Sequence, residues 1–184
     1  MPLPIAHTLA GYALSEMQLL SFFDKNWKTI LFFVVLSNAP DFDFLPGLFL
    51  NDASRFHHGV SHTLGASILA GFLGALWFRK RLPFWKVFWI LGAVYFSHVL
   101  LDYFTEDPRA PYGVMLFWPF TDNFYISDFS IFKKVMRSND TLTFFPSLFS
   151  MHNLSEALRE LAILGSFCIF GKVSFFIRKR KRTL

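Results

Sequence analysis

Between residues 84 and 104 the chain is one apolar run, broken by a histidine and an aspartate four positions apart, His98 and Asp102. On a helix that spacing puts both side chains on one face, one turn apart. An imidazole and a carboxylate inside an apolar helix cost free energy unless they pair, bind a metal or line a wet cavity. A His–Asp hydrogen bond that merely holds two helices together would meet that demand. The rest of the chain repeats the anomaly, and the repetition is what constrains the fold.

Hydrophobic residues make up 53% of the 184 positions and charged residues 17%, with a mean hydropathy of +0.39. A soluble domain usually carries more charge, about 25%. Apolar runs at 5–23, 29–37, 63–78, 84–104 and 161–177 are bounded by basic clusters or proline. They predict a single all-α, polytopic membrane domain over residues 1–184 with about five membrane helices. The pI of 9.5 would suit a nucleic-acid binder. Here, however, Lys and Arg sit at the ends of apolar runs, where they read as topology signals, so no nucleic-acid partner is expected. Cys168 is the one cysteine, which excludes an intramolecular disulfide and leaves His, Asp, Glu and water for any metal. The first residues lack a basic n-region, which argues against a cleaved signal peptide.

The second run stops at Asn38-Ala39-Pro40, because proline disfavours helix in the residue before it and has no N–H to donate. Asp41 and Asp43 therefore fall on an irregular turn, and residues 44–56 form a mixed connector. In an extended turn two carboxylates two residues apart point the same way. Three histidines, His57, His58 and His62, precede the third helix. Adjacent positions on a helix diverge by about 100°, so one of His57 and His58 is expected to turn away. Residues 105–160 are polar and proline-punctuated, an extramembrane segment of loops and short helices. The basic tail Arg178 to Arg182 suits the anionic cytoplasmic leaflet.

Placing Lys25, Lys28, Arg79, Lys80, Arg81, Lys86 and the tail in the cytoplasm gives an alternating path with its C-terminus inside. His7 then opens the first helix, Asp41 and Asp43 end the second, His57 to His62 open the third, and His98 and Asp102 close the fourth. All four places fall at one membrane face, the extracytoplasmic one. Alone, His7 is an ordinary interfacial histidine and Asp41-Phe42-Asp43 an ordinary turn. Together they form a donor set suited to Zn²⁺, Mn²⁺ or Fe²⁺, with one to three ions.

These motifs in this order resemble the YdjM-like family of bacterial inner-membrane metal-dependent hydrolases, some under LexA (SOS) control. The resemblance runs from Ala6-His7-Thr8 through Pro40-Asp41-Phe42-Asp43 and His57-His58-Gly59-Val60-Ser61-His62 to His98-Val99-Leu100-Leu101-Asp102. A Gly113 to Pro119 element follows, so that residues 5–120 form the motif core. It implies His7, Asp41, Asp43, His57, His62, His98 and Asp102 as the metal and catalytic set; Asp43, His58 and Asp102 are the residues expected in catalytic roles. The family usually has Arg at position 58 and Thr at 61. A phosphate-binding arginine is therefore missing, replaced by Arg55, or exchanged for a further histidine ligand. The ligand order is more distantly similar to the zinc-dependent phospholipase C and single-strand nuclease fold, which makes a phosphoester the first substrate class to consider. A site at a bilayer surface meets lipids first, so the expected substrate is a lipid or lipid-linked phosphoester. Arg55 and Arg109 are the nearby cations for it. The alternative is a divalent-metal transporter or sensor using the same cluster. No Gly-x-Ser-x-Gly nucleophile elbow is present.

Overall fold

The computed structural model describes residues 1–17, 23–24, 26–108 and 110–182. Seven α-helices run in the order α1 (Pro4–Glu16), α2 (Trp27–Asn38), α3 (Phe44–Phe49), α4 (Leu64–Phe78), α5 (Phe84–Tyr103), α6 (Thr141–Ser147) and α7 (Met151–Arg182). Short 3-10 turns cover Ala39–Asp43 and Val60–His62. No β-strand occurs among the described residues, only isolated bridges between Thr105 and Phe132 and between Val114 and Tyr125.

Local chemistry sets the helix ends. Pro4 sits in the first turn of α1, where no N–H is needed. Asn26 caps α2 by accepting from Thr29 N at 3.0 Å, and Thr63 caps α4 by accepting from Ala66 N at 2.9 Å. As expected from Pro40, α2 ends before it, but the chain then tightens into a 3-10 turn and continues as α3. The connector expected at 44–56 thus begins as helix. Among the described residues, the whole stretch Trp27–Phe49 and α5 are the two segments long and apolar enough to cross a membrane, and α4 is a shorter apolar helix.

The helices α1, α2, α4 and α5 pack together, α4 along α5 and α1 between α2, α5 and α7. Close approach depends on small residues. A Cβ on Gly71 of α4 would come 2.5 Å from Phe88 O and 3.1 Å from Gly92 N of α5. Gly11 of α1 likewise lies directly against Ser37 and Phe33 of α2. Between helices in lipid, such backbone proximity replaces the hydrophobic drive of a soluble core.

Two boundaries differ from the sequence expectation. Helix α1 ends at Glu16, with Met17 extended, and positions 18–22 lie outside the described residues. Helix α7 starts at Met151, ten residues before the apolar run at 161, so the irregular segment ends near 150. The polar opening of α7 is helical because its buried face is polar: Asn153, Glu156 and Glu160 are all buried. Glu160 accepts from Leu3 N at 2.6 Å and Ala6 N at 3.1 Å, capping α1, which has no side-chain cap of its own.

The interior is divided lengthwise. Phe33, Ala75, Val87, Leu91 and Val94 form an apolar cluster toward the basic loops. At the opposite end His7, His62, His98 and Asp102 are buried beside a second apolar cluster of Met1, Phe44, Ala53 and Phe144.

Candidate metal centre

Each of the four element ends delivers its polar residues to one point. His7 comes from the first turn of α1, Asp41 and Asp43 from the 3-10 turn after α2, and His62 from the turn before α4. His98 and Asp102 come from the last two turns of α5. His62 Nε2 lies 3.2 Å from His98 Nε2, 3.2 Å from Asp102 Oδ2 and 3.6 Å from Asp41 Oδ1. His98 Nε2 lies 3.3 Å from Asp102 Oδ2 and 3.5 Å from Asp41 Oδ1. Two imidazole nitrogens and two carboxylate oxygens thus face one another from four separate segments.

The histidine tautomers follow from what their other nitrogens meet. His98 Nδ1 is 2.8 Å from Ser37 O, a carbonyl that can only accept, so Nδ1 carries the proton and the Nε2 lone pair faces the cluster. His57 Nδ1 is 3.1 Å from Asp43 Oδ1, His62 Nδ1 is 3.1 Å from Asp43 Oδ2, and His58 Nδ1 is 3.3 Å from Asp107 Oδ2. Ser61 Oγ donates to Asp43 Oδ2 at 2.7 Å and so accepts from His62 Nδ1 at 3.0 Å. His58, His62 and His98 are therefore held by Nδ1 with Nε2 turned inward, while His57 turns Nδ1 itself to Asp43 and, at 3.8 Å, to Asp41. His7 stacks on His98 with ring centroids 3.6 Å apart, its Nε2 3.6 Å from Asp102 Oδ1.

Several inward atoms are buried without a hydrogen bond, including both nitrogens of His7, Nε2 of His57 and His58, Oδ1 of Asp41 and both oxygens of Asp102. Buried polar atoms are rarely left unpaired, and a cluster of them aimed at one space suits a cation. A tetrahedral ion with bonds of about 2.0–2.2 Å has ligand–ligand edges of about 3.3–3.6 Å. The five separations given above, His62 to His98 and each of these to Asp41 and Asp102, lie close to those edges, so the residues fit a divalent metal. Further triads flank them: His7 with His98 and Asp102, His57 with His58 and His62, and Asp41 with Asp43 and His57.

Burial and the three carboxylates oppose each other at His62. Burial lowers its pKa, but the nearby carboxylates of Asp102, Asp41 and Asp43 hold it well above the ordinary value. Burial lowers the pKa of His57 well below the ordinary value, and neighbouring His58, His62 and Arg137 add to that. His58 is lowered by burial despite Asp107.

His57 and His58 do not diverge as helix geometry predicts. They lie in a turn, not a helix, and His58 adopts φ 64°. That backbone brings the two ring centroids to 4.1 Å, with both rings in the cluster. Asp41 and Asp43 do point the same way, although in a 3-10 turn. Arg55 is exposed, its guanidinium 5.8 Å from the Phe56 ring, and Arg109 lies outside the described residues. A cleft of about 140 Å³ leads to His57 and His58, and its side-chain cations are Lys134 and Arg137. Sequence patterns gave no signal for these two, for Asp107 or for the Ser37 carbonyl. Ser61 stood out only as a departure from Thr.

The family model described as YdjM inner membrane protein matches residues 1–179. No curated protein and no solved structure matches the chain.

Proposed function

The chain belongs to the YdjM inner membrane protein family, and we propose that it is a multi-pass, metal-dependent hydrolase of the bacterial inner membrane. Its site would open at the extracytoplasmic face, and its substrate would be a lipid or lipid-linked phosphoester. The observation that carries this reading is the convergence of His62, His98, Asp41 and Asp102 at metal-ligand spacing, with unpaired buried donors around them. These four residues would hold the ion, zinc best by donor type, with His7 and His57 extending the set. A bound divalent cation supplies Lewis acidity toward water and a phosphoryl oxygen.

The chain's own residues supply orientation and proton handling. Asp43 fixes His57 and His62, and the Ser37 carbonyl fixes His98. His58, held by Asp107 and facing the cleft, is the group placed to take a proton from an attacking water. Its lowered pKa keeps it neutral, the form a base needs.

The transporter reading requires a polar route onward through the bundle. Beyond the cluster the interior is dominated by Phe33, Val87, Leu91 and Val94, and among the described residues no further histidine or carboxylate is buried there. That favours the enzyme.

Elemental analysis of detergent-purified protein, beside His98→Ala, is the test. We expect at least one equivalent of zinc, manganese or iron, lost in the variant together with chelator-sensitive phosphoester hydrolysis. Full hydrolysis in a His98→Ala, Asp102→Ala double variant would overturn the reading.

A further inference from the structure

The geometry points to a phosphate-binding subsite in the cleft over His57 and His58, with Arg137 and Lys134 as its charged residues. This deepens the metallohydrolase reading and rests on it, since the subsite takes its meaning from the donors beneath. Any group entering the cleft reaches His57 and His58 first, because they form part of its wall.

Arg137 is tied to the cluster through an aromatic ring. Its guanidinium carbon lies 4.9 Å from the Phe44 ring, and that ring stacks on His57 at a centroid distance of 4.0 Å. Its Nη2 is 3.5 Å from Ser54 Oγ, which donates to Asn139 Oδ1 at 2.7 Å. Asn139 O accepts from Ala53 N at 3.0 Å, so this wall of the cleft is anchored to the connector before the histidines.

Helix α7 holds the segment that carries both cations. His152 Nε2 reaches Lys134 O at 3.0 Å. The buried Asn153 accepts from Met136 N at 2.8 Å and donates to Met136 O at 2.7 Å. Residues far apart in sequence thus place two positive side chains where the donors open to solvent.

Among the described residues lining the cleft, the acidic side chain is Asp107. Its Oδ2 lies 3.3 Å from His58 Nδ1 and accepts from Gly113 N at 3.1 Å. Two cations match a phosphoryl group, which carries up to two charges and several acceptor oxygens. The phosphoryl group can belong to a soluble ester or a lipid headgroup, and both present the same oxygens.

The full chain in detergent, titrated calorimetrically with inorganic phosphate, tests the subsite, with metal content measured on the same samples. We expect Arg137→Gln and Lys134→Gln each to weaken phosphate binding roughly tenfold or more while metal content stays at the wild-type level. Arg137→Lys should recover part of the loss, and Arg55→Gln, outside the cleft, should bind as wild type does. Equal binding by wild type and both Gln variants, or none by metal-replete wild type, overturns the subsite. Arg137-dependent phosphate binding by protein that holds no metal keeps the subsite and overturns the metallohydrolase reading. A short-chain phosphatidic acid separates the sources. Tighter binding than inorganic phosphate, lost in the same variants, assigns a lipid; equal binding assigns the phosphate group alone.

Discussion

Asp43 shows how a residue type can be legible in sequence while its job is not. Its motif marks it as a candidate ligand, but its two oxygens face Nδ1 of His57 and of His62, and one also accepts from Ser61. In that position it fixes the tautomer and aim of two imidazoles rather than offering itself first to an ion. Replacing it by Asn keeps the shape but sets an amide NH₂ against one Nδ1–H. Partners of metal-bound histidine typically carry 10–100-fold of affinity. Competition titration with a zinc chelator should therefore show Asp43→Asn binding roughly 10–100-fold more weakly, with helix content unchanged. Affinity equal to wild type would mean that Asp43 does not act through the histidines. Spacing exposed the histidines and aspartates because those types are conspicuous in an apolar chain. Asp107, Arg137 and the Ser37 carbonyl are inconspicuous, since their roles come from contacts made across 49 to 93 positions of chain.

At the scale of elements, the apolar runs were readable wherever the buried face is apolar. The first ten residues of α7 escaped for the opposite reason, a buried face of Asn153, Glu156 and Glu160. Glu160 has the clearest consequence. Burial, with some help from Glu156, raises its pKa to about 7 although Leu3 N and Ala6 N pull it down. An unfolded glutamate ionises near 4.5. Below that value the group is protonated in both states and its contribution to stability is fully present. It is lost as pH rises through about 7, because the folded chain must then hold a buried charge or release the proton. Thermal unfolding in detergent should thus lose a few degrees from this group between pH 5 and pH 8. Glu160→Gln, which keeps an acceptor for α1, should flatten that dependence. An unchanged pH profile in the variant would place the titration elsewhere.

The molecule buries a polar cluster while its helices carry large apolar side chains outside, unlike a soluble domain. Leu31 and Val35 of α2, Ile68, Leu69, Phe72 and Leu73 of α4, and Trp89 of α5 are exposed, while His7, His62 and His98 have no exposure at all. Water would penalise such a surface, and lipid would not. The end of the bundle away from the site carries its own marker. Trp27 opens α2, Trp77 nears the end of α4 and Trp85 opens α5, each at least two-thirds exposed and close in sequence to Lys28, Arg79 to Arg81 or Lys86. Tryptophan beside basic residues at one level is the pattern of a cytoplasmic interface. On the proposed topology the basic loop between α4 and α5 would face the cytoplasm, and the segment between α5 and α6, over the candidate metal donors, would face outward. The lone native cysteine makes this testable in intact cells. In a Cys168→Ser background, Asn123→Cys should react with a membrane-impermeant maleimide and Lys80→Cys should react only after lysis. The reverse pattern would put the donors at the cytoplasmic face, where a soluble phosphoester could reach the cleft as readily as a lipid. The substrate class therefore depends on orientation as much as on the donors themselves.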